Sequence, residues 1–86
     1  MNDVLVNLRT AVDAAAAAAD AFAVAALAAK DALRVRNMFS RGSPGWQEAN
    51  REFRRAMRDL HIHQELALAA EAVATDAVER VAAATR

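Results

Sequence analysis

The chain contains one proline and two glycines, and all three fall within the seven residues "SRGSPGW" at positions 40–46. Glycine and proline punctuate regular structure, so a chain that lacks them on both sides of one short stretch has a single break. Gly42 suits the left-handed residue that closes a helix. Ser43 before Pro44 reads as an N-cap followed by a first-turn proline. The sequence therefore predicts helix 1 over about 3–38, a turn over about 39–43 and helix 2 over about 44–84. At a rise of 1.5 Å per residue each helix is about 50–60 Å long, and the short connection makes them antiparallel neighbours.

Hydrophobic spacing agrees with this reading. In helix 1, Leu5, Leu8, Val12, Ala15, Ala19, Phe22, Ala26, Ala29 and Leu33 follow alternating three- and four-residue steps. In helix 2, Trp46, Ala49, Phe53, Ala56, Leu60, His63, Ala67, Ala70, Ala74, Ala77, Val81 and Ala84 do the same. Such heptads form a coiled-coil seam. With the turn centred near Arg41, facing positions sum to about 82, which sets Phe22 near Leu60 and Ala29 near Phe53. Met38, Phe39 and Trp46 are expected to plug the turn end. The fold class is thus all-α, an antiparallel two-helix hairpin with an alanine-rich seam, and residues 1–86 form one domain.

Size bears on what such a hairpin needs. The sequence is 56% apolar, but only four of its 86 residues are aromatic and many of the rest are alanine. Alanine favours helix yet brings little area to a core. A chain this short buries roughly 60% of its unfolded surface and is marginal alone. It has no cysteine with which to staple itself. Association is the remaining remedy. Val24 and Leu27 point away from the seam of helix 1, Met57, Leu66, Val73 and Val78 flank that of helix 2, and Ile62 lies further round. A helix that is apolar on more than one side has more than one neighbour. Two hairpins dimerising into a four-helix bundle is the simplest solution, and Val24, Leu27, Ile62 and Leu66 are candidate partner-binding residues.

Charge is balanced overall, with eleven basic and eleven acidic residues, but unevenly placed. From Lys30 to Arg58 there are eight basic and three acidic residues, a balance of +5; the rest holds three basic and eight acidic, a balance of −5. The zero total argues against a general polycation for nucleic acid or membrane surfaces. The asymmetry favours solubility and orientation between chains, or an anionic partner. Within "NREFRRAMRDLHIHQE", Arg51, Arg54, Arg55 and Arg58 stand at i, i+3, i+4 and i+7 and share one stripe. Glu48 and Glu52 lie three residues before Arg51 and Arg55, so part of the stripe pairs within the helix. It is either a solvated face or a docking surface for carboxylates or phosphates.

The same stretch invites a metal reading and does not sustain it. His61 and His63 are about 200° apart on a helix and share no face. His61 and Glu65 share one, but a pair of ligands is too few. Ferritin-like carboxylate bundles are similarly helical, yet they use Glu-x-x-His, which this chain lacks. His63 falls on the seam and is expected to bond a carboxylate or water, with Asp20 a candidate partner. No metal or other cofactor is expected. Catalysis has equally little to work with: there is no Cys or Tyr, both serines flank the turn, and no phosphate-cradling glycine loop occurs.

Two families resemble the hairpin in outline. RNA-binding hairpin dimers of the Rop type share the architecture, which would imply an RNA ligand for the arginine stripe, although no aromatic residue stands in the stripe to stack on bases. The secreted WXG100 (ESAT-6-like) hairpins are similar in size and carry a tryptophan at the turn, as Trp46 does here; the resemblance would imply secretion and pairing into a four-helix bundle. The chain departs from that pattern, since Trp46-Gln47-Glu48 has no glycine two residues after the tryptophan and there is no tyrosine for the family's C-terminal export signal.

The start "MNDVLVNLRT" has no basic region ahead of an apolar run, so no export signal is expected. The run "AAAAAADAFAVAALAA" is interrupted by Asp20 and is mostly alanine, so no membrane span and a cytoplasmic location are expected. Alanine- and arginine-rich usage hints at a high-GC bacterium or its phage. The function expected is non-catalytic protein binding, as an adaptor, small assembly subunit, or inhibitor or regulator of a larger protein. The partners are a second copy and that larger protein. RNA or another anionic ligand on the Arg51–Arg58 stripe is the alternative.

Overall fold

The computed structural model describes residues 2–86. It is all helical among these residues: α1 spans Asn2–Arg36 and α2 spans Pro44–Ala84, folded back on each other into a rod 63 Å long and 14 by 13 Å across. Asp3 in the first turn of α1, and Arg34 and Arg36 in its last, complement the helix dipole.

The connection follows from its residues. α1 ends at Arg36, two residues earlier than the spacing predicts. The amides of Met38 and Phe39 bond to carbonyls three residues back, Val35 and Arg36, and this tightening unwinds the last turn. Residues 40–43 then make a turn closed by the Ser43 amide on the Ser40 carbonyl at 3.0 Å. Gly42, at its third position, has φ +84°, as a type II turn requires. Gly42 is therefore left-handed as expected, but it serves the entry to α2 and not the end of α1. The Ser43 hydroxyl accepts from the Trp46 amide at 3.2 Å, and Pro44 opens the helix. The Gln47 side chain donates to the Gly42 carbonyl. Phe39 lies against Gly45, where an added Cβ would fall 2.5 Å from the ring. Met38 does not plug the end, being 77% exposed, and Phe39, at 46%, covers it only in part; Trp46 is half-buried as expected.

The seam of α2 is as predicted from Trp46 to Val81, every position buried or half-buried, with Ala84 exposed beyond it. The seam of α1 differs. Leu8, Ala15, Phe22 and Ala29 keep their places, but Leu5, Val12 and Ala19 are exposed and Val4, Ala11, Ala18, Ala25, Ala32 and Arg36 take the alternate positions. Ala26 and Leu33 remain half-buried beside it. The observed seam advances from Val4 in four- and three-residue steps to Arg36. It puts Val4 and Ala11, not Leu5 and Val12, against α2, and the alternate positions from Ala11 to Ala32 are all alanine, small enough for helices that lie close.

Among the described residues five are buried, and all are alanines: Ala11, Ala25, Ala29, Ala49 and Ala77. Leu8, Phe22, Leu33, Trp46, Phe53, Leu60 and Val81 are half-buried. Burying an alanine methyl is worth about 0.8 kcal/mol. The hairpin thus has a seam but no interior.

Candidate functional site

Large apolar side chains lie outside the seam. Among the described residues fourteen are exposed, and Val24 (67%), Leu27, Ile62 and Leu66 are among them. Geometry places two of these four on one face and two at its edges. Val24 lines a shallow groove of about 390 Å³ together with Ala21, Ala25, Ala28, Ala56, Asp59 and His63. Leu66 stands seven residues after Asp59 and continues that face along α2, whereas Ile62 lies at its edge beside the arginine stripe, in a shallow groove with Met57, Arg58 and His61. Val73 follows Leu66 by seven and lines a second groove of about 430 Å³ near the open end, with Val4, Ala11, Ala14 and Ala77. Leu27, three residues after Val24, sits at the outer edge. The face is alanine-floored, with a few branched side chains standing on it among polar ones: Asp59 and His63 in the first groove, Asn7, Thr10 and the Asp76–Arg80 ion pair in the second.

The arginine stripe is on the outer side of α2, and Arg51, Arg54, Arg55 and Arg58 are all exposed. Arg51 pairs with Glu48 and Arg55 with Glu52, each at 3.1 Å. Among the described residues Arg54 and Arg58 form no ion pair. The stripe therefore offers two uncommitted guanidinium groups four residues apart. Exposed pairs such as Arg51–Glu48 contribute roughly 0–1 kcal/mol, so those two arginines are also readily re-partnered.

The histidines divide by face. His61 meets Glu65 at 3.3 Å in solvent. His63 is half-buried in the seam, as its heptad position requires. Its expected bond to Asp20 is not formed: Asp20 is exposed on the far side of α1, and the carboxylate sharing the groove with His63 is Asp59. Among the described residues no three His, Asp or Glu side chains converge as a metal site would need.

Sequence reasoning missed Arg36. This residue takes the last seam position of α1, half-buried, and lays its guanidinium 5.5 Å from the Trp46 ring centre and 4.8 Å from that of Phe53. Its Nη1 donates to Asn50 at 3.1 Å. Its Nε is buried without a partner. Arg36 and Trp46 sum to the expected 82, and Asn50 and Phe53 lie one and two turns on. The step from Ala29 and Ala32 to Arg36 is the signal that could have found it, facing two of the chain's four aromatic residues. This clamp ties the two helices together beside the turn.

By length and composition α1 is long and apolar enough to cross a membrane, although its apolar share is largely alanine and Asp13 and Asp20 interrupt it. Comparison with protein-family models, curated proteins and solved structures gives no match to this chain.

Proposed function

We propose that the protein is a non-catalytic protein-binding module that pairs with a second copy into a four-helix bundle and presents that bundle to a larger protein, as an adaptor, small assembly subunit or regulator. The observation that carries this reading is where the apolar bulk lies: among the described residues the five buried side chains are all alanine, larger seam side chains such as Phe22 and Leu60 are only half-buried, and fourteen large apolar side chains are exposed. A hairpin so built gains more from covering its outer face than from closing its seam. The bundle would bury the face of Val24 and Leu66 and leave the Arg51–Arg58 stripe to a partner. Stability should then depend on concentration. Sedimentation at micromolar protein should give twice the 9.2 kDa chain mass, and the melting temperature should fall over a hundredfold dilution. A monomer whose melting does not move would sink the proposal.

A second reading has its own observation, the unpaired Arg54 and Arg58. In this reading the stripe takes phosphates, and affinity for RNA falls steeply with salt in proportion to the phosphates contacted. Docking through apolar faces weakens little. Titration of a generic single-stranded RNA at two salt concentrations separates the two.

A further inference from the structure

We propose that the two copies pair antiparallel, the turn end of each hairpin against the open end of the other, with the two-fold axis crossing the rod at mid-length through the face of Val24 and Leu66. This rests on the homodimer reading above and adds its orientation. Ile62 and Leu66 straddle the midpoint of α2, which runs from 44 to 84. Val24 stands on the same side from α1, opposite Asp59 and so somewhat more than one helical turn toward the turn end from that midpoint. A two-fold axis through this patch sets Ile62 of one copy level with Leu66 of the other and repeats the contact, as a self-complementary interface does. A face 63 by 14 Å is of the size of the about 800 Å² per partner that a stable interface covers.

Charge chooses between the two orientations that such a patch allows. Folding brings Lys30–Arg58 together as the turn portion of the rod, so the +5 and −5 parts of the chain become its two ends. A parallel pair would set basic end beside basic end and acidic beside acidic, at a separation near the Debye length of about 8 Å in physiological salt. The antiparallel pair reverses every one of these contacts. With the axis at residue 64, the Arg51–Arg58 segment comes level with residues 70–77 of the second copy, where Glu71 stands exposed and Asp76 is paired with Arg80 of its own helix. Complementary fields set register and orientation even where they add little affinity.

The absence of cysteine makes the test clean. Ser40→Cys lies in the exposed turn and Ala83→Cys on an exposed position near the open end; each is labelled with a nitroxide, and distances are read by pulsed dipolar spectroscopy on material whose mass is checked by sedimentation. The expected result is a turn-to-turn distance approaching the 63 Å length of the rod, and a short distance, below roughly 25 Å for neighbouring helices, when Ser40→Cys and Ala83→Cys chains are mixed. A short turn-to-turn distance in a dimer overturns the orientation and leaves the homodimer reading standing. A monomer in sedimentation overturns both and gives the face to a different protein.

Discussion

Arg36→Met tests whether the guanidinium clamp holds the turn end together. The substitution keeps an unbranched stem of similar reach and removes the charge and the planar donor. Two ring contacts, at 5.5 and 4.8 Å, are lost; at a half-exposed site each is worth about 0.5–1 kcal/mol. The bond to Asn50 is lost as well, at about 1 kcal/mol for a partly solvated charged donor. Two effects oppose these. The buried, unpartnered Nε disappears, which returns about 1 kcal/mol. The methionine sulfur also regains some contact with the same rings. The net expectation is a loss of about 1–2 kcal/mol, equivalent to roughly 4–15 °C in melting temperature for a domain of this size. Urea unfolding followed by circular dichroism, at one fixed protein concentration, measures it. Asn50→Ala in both backgrounds isolates the hydrogen bond as a coupling of about 0.5–1 kcal/mol. If Arg36→Met leaves the unfolding midpoint unchanged, the clamp contributes nothing and the aromatic contacts are incidental to the seam.

Ala29 is the most deeply buried residue, 5% exposed, so Ala29→Leu should overpack the seam by about 1–3 kcal/mol while Ala17→Leu on the exposed face is nearly neutral; equal tolerance in urea unfolding would misplace the seam. Gly45→Ala should destabilise the protein, because the new methyl meets the Phe39 ring, but stabilise it by about 0.5–1 kcal/mol of helix propensity once Phe39→Ala has cleared the space; the same sign in both backgrounds would exclude the steric explanation. Replacing Arg51, Arg54, Arg55 and Arg58 with glutamine should keep the helix content and weaken capture of the native partner from a host extract; unchanged capture would assign the stripe to solvent and the contact to Val24, Leu27, Ile62 and Leu66.

The turn was legible because its signals are local: Gly42 takes a left-handed φ, the Ser43 hydroxyl caps the Trp46 amide, and Pro44 opens a helix where its missing N–H costs nothing. The α2 seam was legible for a different reason. Trp46, Phe53, Leu60 and Val81 stand against arginines and glutamates, so the apolar stripe has contrast. In α1 that contrast fails. Alanine occupies both the seam and its neighbours, and the bulkier Leu5 and Val12 draw the assignment to their own side, although Val4, Ala11 and the alanines that follow are what face α2. Arg36 was invisible to a hydrophobic pattern because a guanidinium seated on aromatic rings is buried without being apolar. Similarly, the exposure of Val24, Leu27, Ile62 and Leu66 could be read from their angle to the seam. Which of them share a face required the helices to be placed, because that depends on the rotation of α1 against α2.

Calorimetry would register the alanine seam as a missing heat capacity. Exposing apolar area on unfolding raises heat capacity by about 0.45 cal/mol/K for each Å², and a domain of this length ordinarily shows about 1 kcal/mol/K. Opening the seam exposes its methyl floor and only the covered parts of larger side chains such as Phe22 and Leu60, whereas separating two copies paired as proposed would expose the branched side chains that stand outside it. In the pair proposed above, dissociation would then carry a larger share of the heat-capacity change, and the stability curve of the pair would be more strongly domed than that of a lone hairpin. Apolar association weakens on cooling and helical hydrogen bonding does not, so the cold form of this protein would be separated hairpins with their helices intact.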